Sequence, residues 1–276
     1  MKKTVLALTF AALAVPAFAQ DKKAPEPDYT FGGNFGLTSD YRFRGISQSN
    51  TSPAVQGGLD FTHKSGLYLG NWNSSISQWT APNGGGTEMD FYAGLKKEIA
   101  GVGFDLGTIY YYYPGAQWGT DLTKPAAATV TKNYWNTHEV YVGLGYGPLS
   151  FKTSYTLSDR YFGIGKENDT SLQTAADSSS KGTLYYDLTF AYEIASKTTL
   201  KIHAGFLNLN KKEAALDVIK DYSVGLAYDL DGWLFSVSYV TTSGLSADGK
   251  AFFTTTDGRN KKLYEGVGVV SLTKTF

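Results

Sequence analysis

Asp40, Arg42 and Arg44 stand at every second position of the chain, so an extended backbone would present all three on one face. Two guanidinium groups and a carboxylate on the inner face of a pore could set a charged constriction that filters solutes by size and sign. The competing arrangement is ion pairing of Arg42 and Arg44 with acids such as Glu88, Asp90 or Glu139, which would fix the shape of a loop. Further along, Asp90, Glu139, Lys152, Asp187, Lys201 and His203 occupy the polar positions of alternating segments and join the candidate lining of that pore. Asp60, Asp90, Asp105, Glu139 and Asp187 stand against Lys152, Lys201, Arg42 and Arg44, so neither ion sign is favoured.

Other chemistry is sparse. The chain has no cysteine, which removes thiol nucleophiles and thiolate metal sites. Its three histidines, His63, His138 and His203, lie far apart in sequence without the short ligand spacing of a zinc site, so no metal and no cofactor is expected. His138 has no convincing serine partner for a hydrolase, and catalysis is not expected. Asn83-Gly84-Gly85-Gly86 lacks the Lys-Ser/Thr of a phosphate-binding loop and reads as a loop tip.

The elements that must carry these residues show a period of two. Tyr29, Phe31, Phe35 and Leu37 alternate with Thr30, Gly32, Asn34, Gly36 and Thr38. Later copies are cleaner: Val140, Val142, Leu144 and Tyr146 oppose Glu139, Tyr141, Gly143 and Gly145, while Tyr222, Val224, Leu226 and Tyr228 oppose Asp221, Ser223, Gly225 and Asp229. Every such segment has one apolar face and one polar or glycine-rich face. Twelve strands are expected. Many run to about ten residues, the length of a tilted strand crossing a hydrocarbon layer, whereas soluble strands average about five or six. That length disfavours a secreted sandwich, which would also alternate.

Connections alternate strictly between short and long. Five short turns fall at Lys64 to Gly66, Glu98 to Gly103, Gly147 to Pro148, Ile194 to Lys197 and Leu230 to Gly232. Six long loops run near 39–53, 75–88, 114–134, 159–181, 208–220 and 243–262. Twelve strands, five turns and six loops put both termini on the turn side, as in a bacterial outer-membrane barrel with periplasmic turns and extracellular loops. Aromatics near strand ends (Tyr41, Phe43, Trp72, Tyr110, Tyr112, Trp135, Tyr155, Tyr222, Tyr228 and Trp233) suit an interfacial girdle, with Tyr41 and Phe43 facing outward if the first strand keeps its phase past Thr38. Glycines on the inner face, among them Gly94, Gly107 and Gly205, are expected to leave room in a narrow lumen.

Composition agrees with burial in something other than water. Apolar residues reach 42% but charged residues only 18%, below the quarter typical of a soluble domain. The 276 residues carry equal numbers of acidic and basic side chains, so no basic field exists to hold nucleic acid. Residues 1–19 read as a signal peptide: Lys2 and Lys3, an apolar run from Val5 to Val15 too short to cross a membrane as a helix, and Ala17-Phe18-Ala19 before the cut. Residues 20–28 read as a mobile leader and 29–276 as the barrel.

Gly36-Leu-Thr-Ser-Asp-Tyr-Arg-Phe-Arg-Gly-Ile-Ser-Gln48, Pro53-Ala-Val-Gln-Gly-Gly-Leu-Asp60 and Tyr68-x-Gly70-x-Trp72 resemble the TorF-type porin family, also known as a conserved hypothetical bacterial family. The resemblance implies an outer-membrane barrel of unsettled substrate and transfers no catalytic or ligand residues. An alternating last strand ending at Phe276 resembles the assembly signal of outer-membrane proteins, although Lys274 breaks its apolar face. The expected protein is an all-β, twelve-stranded outer-membrane barrel acting as a passive porin-like channel. A closed structural or adhesive barrel working through its surface loops is the alternative. Its expected partners are outer-membrane lipid, the barrel assembly machinery during insertion, and a small polar solute or ion. The pattern neither requires nor forbids a homo-oligomer.

Overall fold

The computed structural model describes residues 27–77, 85–118, 133–163, 179–209, 218–255 and 258–276. The expected signal peptide and residues 20–26 of the leader lie outside the described residues, as do Asn83 and Gly84. The strands are β1 (Tyr29–Thr38), β2 (Arg42–Phe43), β3 (Ile46–Ser47), β4 (Ala54–His63), β5 (Leu67–Ser75), β6 (Thr87–Ile99), β7 (Val102–Tyr112), β8 (Gln117–Trp118), β9 (Asn133–Tyr134), β10 (Thr137–Tyr146), β11 (Leu149–Thr156), β12 (Leu184–Ala195), β13 (Thr198–Asn208), β14 (Val218–Leu230), β15 (Trp233–Ser243) and β16 (Val267–Thr275). Among the described residues one short helix, α1 (Ala247–Phe252), sits in the connection between β15 and β16.

Twelve of these strands form one closed antiparallel barrel in the order β1-β16-β15-β14-β13-β12-β11-β10-β7-β6-β5-β4. Each pairs with its neighbours in sequence, and the first pairs with the last. β2 with β3 and β8 with β9 are small separate ribbons in the loops, which alternation alone did not reveal. Closure leaves no edge, so every strand can satisfy its backbone in a medium that offers no hydrogen bonds.

Tight turns set the register at one end. Ala100-Gly101 (φ 53° and 81°) and Asp231-Gly232 (φ 52° and 83°) both take left-handed backbone at two successive residues, the geometry whose twist matches paired strands. The expected long loops emerge at the opposite end. At the seam, Asn34 pairs with Thr275 and Thr38 with Ser271, and Gly33 and Phe276 exchange backbone hydrogen bonds of 2.9 and 3.0 Å. A Cβ on Gly33 would stand 2.8 Å from the Phe276 ring, so the terminal ring lies over this glycine and covers the seam. Lys274, which interrupts the apolar face, reaches back at the turn end. Its ammonium lies 5.4 Å from the Trp233 ring centroid and donates to the Asp231 carbonyl at 2.9 Å.

The outer face is mostly apolar, with Asn71, Asn73, His138, Lys220 and Lys274 as polar residues on its parity. Val142, Val224, Val237 and Val270 are exposed along its middle, and aromatic rings border them at both ends. Tyr110, Tyr112, Tyr155 and Tyr222 lie toward the loop end, with Tyr146, Tyr192, Tyr228 and Trp233 toward the turn end. A soluble protein would not leave this belt in water; its two aromatic borders match the girdles of a barrel in lipid.

Four aromatics assigned to that girdle belong elsewhere. Strand β1 ends at Thr38, so its phase does not continue, and Tyr41 and Phe43 turn inward with the following loop. Tyr41 is buried and packs edge-on against Trp72 at 5.4 Å, and Phe43 packs on Tyr111 and Phe162 at 5.5 and 5.2 Å. Trp72 is on the inner parity of β5, register-paired with Asp90, and Trp135 is buried in the same cluster. The protein therefore has its buried apolar core inside the loop end of the cylinder, where Ile46, Tyr161, Phe162, Leu245, Phe253 and Leu263 from three loops meet the inner wall.

Candidate functional site in the barrel lumen

The loop from β1 to β4 folds into the barrel as a hairpin. Its tip, Arg44-Gly45, has φ of 47° and 81°, a two-residue turn that lets β2 pair with β3 through Arg42↔Ser47 and Phe43↔Ile46. Gly45 is needed at the second position for its backbone and for space. A Cβ there would run into Thr242 Oγ1 on β15 and stand 2.6 Å from the Asp221 side chain on β14.

At the base of the hairpin, Asp40 accepts from Arg42 Nε and from Ser47 Oγ, both at 2.6 Å, and from Ser49 Oγ at 3.1 Å. The other end of Arg42 donates to the carbonyls of Leu263 and Glu265, at 2.7 and 3.1 Å, which ties the hairpin to the β15–β16 loop. At the tip, Arg44 crosses to β10 and grips Glu139 with both amino groups, at 2.9 and 2.7 Å. Its guanidinium also donates to Tyr161 Oη at 2.9 Å and lies 4.1 Å from the centroid of the Tyr185 ring. Burial alone would lower the Arg44 pKa, but the Glu139 carboxylate outweighs it and keeps the guanidinium charged. Both side chains are nearly inaccessible (7% and 1%), so the pair is a buried bidentate latch rather than an open charged filter.

A second cluster lies on β12 to β14. His203 Nε2 is 2.8 Å from Asp221, its Nδ1 is 3.5 Å from Asp187, and Tyr185 donates to both Asp221 oxygens at 3.2 and 3.0 Å. Lys152 on β11 is register-paired with Asp187, and its ammonium lies 4.9 Å from the Tyr141 ring centroid. Thus Asp40 joins Arg42, Arg44 joins Glu139, and His203 joins Asp187. Asp90 stands apart, buried on β6, and Lys201 is exposed on the inner parity of β13, nearer the turn end. His138 is on the outer parity, its Nε2 2.7 Å from Thr108 Oγ1.

Tyrosines occupy space that the inner glycines were expected to leave. A Cβ on Gly94 would run into Tyr68 Oη, one on Gly107 into the Tyr141 ring, and one on Gly205 into Tyr185 Oη. Each phenol lies flat on a neighbouring strand's glycine, and each has a carboxylate near its hydroxyl. Tyr68 donates to Asp105 at 2.7 Å, and Tyr92, above Gly70, donates to Asp60 at 2.6 Å. Reading the sequence for charge alone misses these phenols. Their signal was inner parity next to a strand with glycine on the same face. Gly205→Ala is expected to displace Tyr185 from Asp221 and lower stability by about 1–3 kcal/mol, the cost of overfilling a packed site. Urea unfolding in detergent measures it; an unchanged midpoint would refute the packing.

A closed barrel with an apolar belt, a polar inner wall and an inward loop defines the class, a membrane-spanning β-barrel of porin architecture. The solved KdgM porin shares the fold with a TM-score of 0.50 at 10% identity, covering 89% of this chain and 99% of its own. The NanC porin does so with a TM-score of 0.51 at 12% identity, covering 90% and 99%. The chain belongs to the family described as "Bacterial protein of unknown function (Gcw_chp)", which it matches over residues 22–276. No curated protein matches it.

Proposed function

We propose that this protein is a porin-like channel of the bacterial outer membrane, narrowed near its outer mouth, through which small polar solutes or ions diffuse passively. The observation that carries the proposal is the two-faced cylinder. Along β15, Phe235, Val237 and Tyr239 are exposed outward while Ser236 and Ser238 alternate inward, and this opposition recurs around a closed ring. Lipid needs the first face, and a hydrated path needs the second. The fold shared with the KdgM and NanC porins supports the reading, as does the TorF-type resemblance of residues 36–79. On this reading residues 1–19 direct export, the strand ending at Phe276 engages the assembly machinery, and the hairpin from Asp40 to Ser47 forms the constriction.

Planar-bilayer recording of the purified mature chain tests the proposal. Discrete current steps that recur across preparations are expected. Their consistent absence, from protein shown to be folded by heat-modifiable gel migration, would overturn the channel and favour a closed barrel acting through its loops.

A further inference from the structure

The lumen is not charged evenly around its circumference. On the walls from β7 to β14, cations and anions interleave. Arg44 is taken by Glu139, His203 stands between Asp187 and Asp221, Lys152 is register-paired with Asp187, and Lys96 at the turn end of β6 approaches Asp105 to 4.0 Å. Arg42 is committed to Asp40 within the hairpin.

The wall from β4 to β6 differs. Going from the loop end toward the turn end, it carries Glu88, Asp90 and Asp60 on the inner parity, with no Lys or Arg on these strands until Lys96. Their contacts are with neutral groups: Tyr113 donates to Glu88 Oε1 at 3.0 Å, the Tyr41 hydroxyl lies against the same carboxyl, and Tyr92 donates to Asp60 Oδ1 at 2.6 Å. Glu88 is fully buried and Asp90 is 6% exposed. Among the described residues, three buried carboxylate oxygens lack a hydrogen-bond partner of good geometry, Glu88 Oε2, Asp90 Oδ1 and Asp60 Oδ2, and all three are on this wall. A buried carboxylate oxygen with nothing to receive is costly. The exposed Lys201 is on β13, six strands from β5 in a ring of twelve, and so diametrically across the lumen.

We infer that the β4–β6 wall is a cation path, and that Glu88, Asp90 and Asp60 make the channel prefer small cations over anions. This rests on the channel reading above. A partly dehydrated potassium or ammonium ion supplies what the three orphan oxygens lack and favours their ionised form, and carboxylate charge in a narrow low-dielectric lumen raises the local concentration of cations while repelling anions. The neutralised walls contribute little to that field.

Reversal potentials of the refolded mature chain across a tenfold potassium chloride gradient test the inference. The expected result is a several-fold permeability preference for potassium over chloride. Asp60→Asn/Glu88→Gln/Asp90→Asn, which keeps size and shape, should bring the ratio close to one. Asp60→Asn alone should lower it partway, and it gives a readout if the triple variant does not fold. Current with a chloride preference, or an unchanged ratio in folded variants, would overturn the cation path and leave the channel standing. A folded barrel that passes no current would remove both.

Discussion

Arg44→Ala is expected to release the hairpin that crosses the lumen, and with it to raise single-channel conductance several-fold. The variant removes both bonds to Glu139 and leaves that carboxylate, 1% exposed, without its bidentate partner. Its remaining contacts are weak, with Tyr111 Oη and Thr156 Oγ1 both at 3.4 Å. Breaking one side of a buried pair costs about 3–5 kcal/mol, because a charge stays behind in a dry site. Here the protein has a cheaper response than global unfolding. Water reaches Glu139 once the tip of the hairpin lifts, so the penalty appears as opening of the loop. Faster proteolysis after Arg42 should accompany the larger current. Arg44→Met/Glu139→Leu should close the lumen again, since two apolar side chains can pack where the ion pair was without leaving a charge unpaired. Unchanged conductance and proteolysis in Arg44→Ala would refute the latch.

The second large effect separates the two faces of one strand. Val237→Arg puts a guanidinium in the middle of the outer belt, beside Leu226 and Val270 in register, and is expected to destabilise the barrel in lipid vesicles by about 2–4 kcal/mol. Ser238→Arg, one residue along, points the same side chain into the lumen, where water can hydrate it. Its stability should stay near that of the parent while conductance falls. Urea unfolding and bilayer recording of the two variants decide the matter. Equal destabilisation would mean that the outer face is not in hydrocarbon.

Much of this was legible before any fold was known, and particular residues show why. A strand has a period of two, so Val224 and Gly225 declare opposite faces from their types alone, and twelve such segments with alternating turns and loops suffice to set strand count and the end at which both termini lie. Asp231-Gly232 marks its turn because few residue pairs tolerate two successive positive φ values. Asp187, Lys152 and His203 were assigned to the lumen by the same parity.

Tyr41 and Phe43 mark the limit. An apolar ring gives the same signal whether it is to be buried in lipid or in a loop packed inside the barrel, and no periodicity survives past Ser39 to choose between them. The partner of Arg44 was likewise open, since Glu88, Asp90 and Glu139 all fall on inner parity and their distances from the hairpin tip depend on how far the loop reaches across a closed ring. Tyr68, Tyr141 and Tyr185 were ordinary inner residues until the glycines beside them came into register. Which face of each strand meets lipid, and where the chain turns, follow from local alternation and local backbone freedom, and so can be read residue by residue. Which charges neutralise one another depends instead on contacts between residues as far apart as Arg44 and Glu139, brought together by closure of the barrel and the inward fold of one loop.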